Sequence, residues 1–247
     1  MSAYVAQRYP SSVQLLTDGA CYGPDHVLTA IVSKVWSSAR LPIAITGRGR
    51  LKIVEFVAAQ IIDAAERAQS IDDLMDGVPR IFEDLRACDP PHFDVAIAAW
   101  SETNGASLWY FDSGGEFGSP NHAPWELHAV PHSWCASELT GKEMVDLRYR
   151  NGPHQQPGRF MWVDPSYLKD YGADVMELIR SKPTGDHFSV GGHCQLTTVT
   201  ADGVETVTLR TWPEDKIGQK LNPPPMDLSP SKVMNRHERR ALARRAA

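Results

Sequence analysis

The order in which strand-like and helix-like periodicity follow one another constrains this chain more than any single motif. Tyr4 to Gln7 and Val13 to Thr17 read as strands joined across Tyr9-Pro10-Ser11-Ser12, which has turn chemistry. Asp18-Gly19-Ala20-Cys21-Tyr22-Gly23-Pro24-Asp25 reads as a loop, and Val27 to Val35 and Leu41 to Thr46 as further strands. Gly47-Arg48-Gly49-Arg50 then opens a helix over about Leu51 to Gln69. Its apolar residues wrap most of the circumference, which predicts cover on more than one side. Ser70-Ile71-Asp72-Asp73 has the spacing of a helix start; Leu74, Val78, Ile81 and Leu85 share a stripe in that helix, and Pro79 predicts a kink. Phe93 to Trp100 and Ser107 to Phe111 make a hairpin across Asn104-Gly105, and Trp125 to Val130 is another strand. A helix near Asp170 to Arg180 precedes a closing hairpin, Phe188 to Thr200 with Glu205 to Thr211. Blocks of antiparallel strands with helices between them predict a layered α+β fold, not a parallel α/β one.

With 42% hydrophobic and 22% charged residues, most of the chain can bury a core. The patterning predicts one domain over residues 1–215 with a polar, irregular insertion at about 146–165, a Pro-rich linker over 216–230 and a basic tail over 231–247. The net charge of −5 is uneven, because Lys232, Arg236, Arg239, Arg240, Arg244 and Arg245 face only Glu238 in the tail. The acidic remainder argues against a nucleic-acid-binding core, and the tail suits docking to an acidic partner or nucleic acid. No apolar run reaches membrane-spanning length, and Met1-Ser2-Ala3-Tyr4 carries no signal-peptide pattern. Cys21, Cys88, Cys135 and Cys194 lack CxxC spacing, which predicts reduced thiols in a cytoplasmic protein. No cofactor motif is read.

The chemistry-bearing pattern lies near the N-terminus. Asp18 follows Ser2 by sixteen residues, and Lys34 follows Asp18 by sixteen more. Removal of Met1 would give Ser2 a free α-amine, with an ordinary pKa of about 7.7–8.0, able to take a proton from its own hydroxyl. A lysine beside that amine disfavours its protonated form, and a carboxylate neutralises and orients the lysine. Glycine-turn amides at Gly47 and Gly49 are candidates to stabilise an oxyanion.

These gaps, with Leu15-Leu16-Thr17-Asp18-Gly19-Ala20, the Lys34-Val35 pair and Ile43-Ala44-Ile45-Thr46-Gly47-Arg48-Gly49 ahead of a long helix, resemble the proteasome β-subunit and the bacterial proteasome-like peptidases. Downstream, Asp186-His187-Phe188-Ser189-Val190-Gly191-Gly192 is similar to the same family's Asp, Ser and glycine pair. The resemblance covers about residues 2–112 and 185–212. It implies a four-layer αββα sandwich of the N-terminal-nucleophile hydrolase type, with Ser2, Asp18, Lys34, Asp186 and Ser189 as the catalytic set. It further implies a peptide or amide substrate, a homo-oligomer and an ATPase or assembly partner. Ser133, in Val130-Pro131-His132-Ser133-Trp134, stands one or two residues from the place of the serine in the family's Gly-Ser-Gly turn, so the resemblance implies either that Ser133 substitutes for it at the oxyanion and substrate site or that the role is lost. Tyr22 replaces a small hydroxyl residue, and Arg48 and Arg50 bring positive charge to the expected substrate groove.

Two other readings stand beside this one. His122, His128 and His132, with Glu126 near them and His187 and His193 further on, offer metal-ligand types, although Pro131 breaks the spacing. The fold could also serve an inactive structural or assembly protein; the tail motif Asn235-Arg236-His237-Glu238-Arg239-Arg240-Ala241 resembles the ends of some phage-encoded proteins.

Overall fold

The computed structural model describes residues 3–118, 121–136, 139–150 and 161–228. Ser2 and the basic tail therefore lie outside the described residues. The fold is mixed α+β, with two five-stranded antiparallel sheets and a two-stranded ribbon.

The first sheet comprises β1 (Tyr4–Tyr9), β2 (Ser12–Asp18), β10 (Ser133–Cys135), β11 (His193–Thr200) and β12 (Gly203–Thr211), in the order β10-β1-β2-β11-β12. The ribbon pairs β3 (Ala20–Tyr22) with β4 (Leu28–Ile31). The second sheet comprises β5 (Trp36–Ser37), β6 (Ile43–Gly49), β7 (Phe93–Ser101), β8 (Gly105–Asp112) and β9 (Leu127–Ala129), in chain order.

Side-chain size decides which face of each strand meets what. On β7, Phe93, Val95, Ile97 and Ala99 turn toward α1 (Leu51–Ala65) and α2 (Ile71–Arg86), in one core with Val54, Val57, Ile61, Leu74, Val78 and Phe82. Each such buried side chain stabilises by roughly 1.5–3 kcal/mol. The alternate residues Ala96 and Ala98 join Ala44, Ala106, Tyr4, Ala6, Val13 and Leu15 in a cluster between the two sheets. Alanines there let the sheets approach closely. On the far face of the first sheet, Val5, Leu16 and Leu196 pack on Leu168, Val175, Leu178 and Ile179 of α4 (Tyr167–Arg180).

Helix α2 follows its sequence signals: Ser70 accepts the Asp73 N–H at 3.0 Å, and the Glu102 carboxylate accepts the Ile71 and Asp72 N–H groups. Pro79 sits within the continuous helix. Helix α1 is covered by β6, β7 and α2, and Phe56 on its remaining face is half exposed.

Five expectations change. Residues 20–22, read as loop, form β3, and the single strand expected over Val27–Val35 is divided between β4 and β5 with Lys34 in the connection. Strand β11 starts at His193, five residues later than expected, because Gly192 takes a positive φ of 77°. The insertion expected to be irregular from 146 opens inside a helix, α3 (Gly141–Arg150). A reciprocal cap starts it: Thr140 Oγ1 accepts the Glu143 N–H at 3.2 Å, and the Glu143 carboxylate accepts the Thr140 N–H at 2.8 Å. The expected linker lies against the domain as far as Leu228. Leu221 is buried beside Ala20 and Leu28, and Gly218 and Gln219 exchange backbone hydrogen bonds with Leu28. Among the described residues no helix is long and apolar enough to cross a membrane, and the four cysteines are free.

Candidate active site at the Asp18–Lys34 pair

Strand β2 is buried along its whole length and delivers Asp18 to a point where three chain segments converge. Oδ1 of Asp18 accepts from Lys34 Nζ at 2.9 Å and from the Ala3 N–H at 3.3 Å. Oδ2 accepts the Ala20 N–H at 3.0 Å and the Gly191 N–H at 3.2 Å. The Asp18 and Lys34 side chains are 0% and 4% exposed, so the ion pair is shut away from bulk water while the amides satisfy the remaining lone pairs. Thr46 Oγ1 donates to the Lys34 carbonyl at 2.9 Å, which fixes the connection carrying the lysine.

Lys34 also lines a cleft of about 480 Å³. Cys21, Gly47, Gly49, Arg50 and His92 share its wall, with Trp36 and Phe117 giving it apolar surface. Gly47 is required there: a Cβ would stand 2.2 Å from the Asp94 carbonyl and press on Val54 and Val95. The expected groove arginines separate. Arg50 faces the cleft. Arg48, between the two cleft glycines Gly47 and Gly49 on β6, points to the opposite face of that strand, where Nε is 2.9 Å and a terminal guanidinium nitrogen 2.5 Å from the buried Asp94 carboxylate. The Arg48 N–H also donates to Asp94, at 2.9 Å. Burial pushes the Asp94 carboxyl pKa up, and Arg48 opposes that shift.

The downstream residues are held differently. Ser189 is buried, with its hydroxyl 3.2 Å from Thr184 Oγ1. The Asp186 carboxylate is exposed and its hydrogen bond is to His187. Ser133 is exposed on β10, opposite Gln7. None of these three lines the cleft. The link from this segment to Asp18 is instead the glycine pair. Gly191 N–H donates to Asp18, while the next amide, that of Gly192, donates to Asp215 Oδ2 at 2.7 Å. Asp215 in turn accepts from Arg180 at 2.5 Å, and both side chains are almost fully buried. Asp215 and Arg180 escape sequence reading, because Pro213-Glu214-Asp215 looks like a solvated turn and Arg180 like an ordinary basic residue in a last helical turn.

The histidines do not gather as their spacing suggested. His122 and His128 lie with ring centroids 4.6 Å apart, and His128 Nε2 is 2.9 Å from the Ala123 carbonyl. Burial, then the neighbouring His128, pushes the His122 pKa down. His132 is exposed, and its carbonyl accepts the Arg8 N–H at 2.7 Å.

His193 lies against Gly19, where an added Cβ would meet its ring at 2.4 Å. Burial depresses its pKa below the usual histidine value. A histidine with a depressed folded pKa leaves the unfolded chain binding more protons below the unfolded value, near 6.5. Stability is therefore expected to fall as pH drops below about 6.5 and to level off beneath the depressed folded value. His193→Gln should flatten that part of a plot of urea-unfolding free energy against pH. An unchanged slope would show that His193 is not the group responsible.

Comparison with models of known protein families returns no match, and comparison with curated proteins returns no relative.

Proposed function

We propose that the protein is an N-terminal-nucleophile amide or peptide hydrolase on a four-layer αββα sandwich, with Ser2 as nucleophile once Met1 is removed. One observation carries the reading: a buried Asp18–Lys34 pair opens onto a cleft, and the same carboxylate accepts the N–H of Ala3, the residue covalently next to Ser2. The apolar clusters support the fold, with helices on the outer face of each sheet and a small-residue layer between the sheets.

In this mechanism the Ser2 hydroxyl oxygen bonds to the amide carbonyl carbon while its proton passes to the Ser2 α-amine. Lys34 disfavours the protonated amine beforehand, and Asp18 keeps Lys34 in place. The carbonyl oxygen carries the developing negative charge, toward amides at Gly47 or Gly49. The amide of Arg48 is already committed to Asp94. The C–N bond then breaks, the amine leaves with the proton, and water hydrolyses the resulting ester to return Ser2.

A second reading, an inactive proteasome-like structural or assembly protein, is favoured by the exposed Asp186 and by the Ser189 hydroxyl facing Thr184. Homo-oligomerisation and an ATPase or assembly partner accompany either reading as proposals. Peptide mapping after treatment with a β-lactone electrophile separates the two. The hydrolase reading expects an intact mass lacking Met1 and a label on Ser2 that disappears in Ser2→Ala. Retained Met1, or labelling unchanged in Ser2→Ala, would favour the structural reading.

A further inference from the structure

His26 and His187 come from segments far apart in the chain and stack face to face, with ring centroids 3.5 Å apart and planes 14° apart. His26 sits in the turn between β3 and β4 at a φ of 60°, a region that a residue other than glycine enters infrequently. His187 closes a turn in which it and Thr184 exchange backbone hydrogen bonds of 2.7 and 3.4 Å. Asp186 Oδ1 lies 3.3 Å from His187 Nδ1. One ligating atom from each of His26, Asp186 and His187 lies within 4.8 Å of the others, the one such set of three among the described residues.

We propose that His26, Asp186 and His187 bind a divalent transition-metal ion of the zinc class. Two imidazoles and a carboxylate suit Zn²⁺, Co²⁺ or Ni²⁺ better than Mg²⁺ or Ca²⁺, which take oxygen ligands. Around tetrahedral zinc, with bonds of about 2.0–2.1 Å, ligand atoms stand roughly 3.3 Å apart. Parallel rings aim their lone pairs side by side, so one imidazole must turn about its Cβ–Cγ bond to converge on the ion. The remaining coordination position falls to water. A plain stacked pair is the competing account, and it explains the arrangement less well. The His26 ring nitrogens make no hydrogen bond among the described residues, whereas an ion would engage one of them.

The site joins two parts of the cleft machinery. The β3–β4 ribbon contributes Cys21 and Tyr22 to the cleft wall, and His187 stands four residues before Gly191, whose N–H holds Asp18. An ion here would clamp the ribbon turn to the segment that anchors Asp18. Its binding is read without any turnover, so the inference stands apart from the hydrolase reading.

Titration of the full chain with Co²⁺, followed by visible absorption, tests it. One equivalent should bind with the ligand-field bands of a low-coordinate ion, and Zn²⁺ should displace it. His26→Asn, chosen because asparagine tolerates positive φ, and His187→Gln should each weaken binding on the order of a hundredfold, and Asp186→Asn roughly tenfold. His128→Gln should leave it unchanged. Should a histidine variant unfold by circular dichroism, Asp186→Asn carries the test, because a side chain 95% exposed holds nothing in the core. Absence of saturable binding, full affinity in Asp186→Asn or in both histidine variants, or loss of binding in His128→Gln would each overturn the proposal.

Discussion

Lys34→Met is expected to abolish the amide hydrolysis proposed for Ser2 and to lower unfolding stability by about 3–5 kcal/mol. Methionine fills much of the same space, so the main change is electrostatic. The Asp18 carboxylate, fully buried, would lose the one cationic partner it has among the described residues and keep, among them, the amides of Ala3, Ala20 and Gly191. Those three donors moderate the loss and favour the lower half of the range. Urea unfolding gives the stability, and hydrolysis of a small peptide amide gives the activity. Adding Asp18→Asn to Lys34→Met removes the stranded charge and should recover at least half of the lost stability without restoring turnover. Lys34→Arg keeps the charge, but a planar guanidinium does not reproduce the ammonium's contact with Oδ1. It should recover stability more fully than activity. A Lys34→Met protein within about 0.5 kcal/mol of wild type would show that the pair does not hold Asp18 in the way described.

How much of this was legible in the sequence depended on how local each determinant is. The hairpin of β7 and β8 was visible because Gly105 takes a φ of 67° and sits opposite Ser101, a turn the Asn104-Gly105 pair advertises. Helix α2 was visible because its cap at Ser70 and its buried stripe lie within one continuous segment. Asp18 and Lys34 were found through a spacing pattern, and their contact is geometry that spacing alone cannot supply. Arg48 was assigned to the groove because a sequence does not say which face of a strand meets the cleft. Its partner Asp94 lies forty-six residues on and pairs with it only through the β6–β7 register. Helix α3 was missed because its stripe is short and polar, so its capping pair, Thr140 and Glu143, is the stronger signal. His26 is not legible in the sequence because its neighbour in space, His187, is remote along the chain.

Arg180 is the side chain on which the second large effect is expected. Arg180→Met should destabilise the protein by about 3 kcal/mol, because Asp215 would be left charged and buried with only the Gly192 amide and no cation. The ion pair itself contributes little net stability. Among the described residues Arg180 Nε and one terminal nitrogen have no hydrogen-bond partner, and the approach of that nitrogen to Glu177, 3.7 Å, is too long to serve as one. Replacing both partners, as Arg180→Met with Asp215→Asn, is therefore expected to return most of the stability. The paired change also separates two roles of Asp215. Asparagine keeps an oxygen that can accept the Gly192 N–H, so the glycine pair stays in place, Gly191 continues to hold Asp18, and turnover should return together with stability. Arg180→Met with Asp215→Leu removes the charges equally well but leaves the Gly192 amide without its acceptor. If Asp215 positions the Asp18 carboxylate through the glycine pair, this second double variant should stay folded and lose activity. Equal activity in the two double variants would limit Asp215 to a structural partner of Arg180.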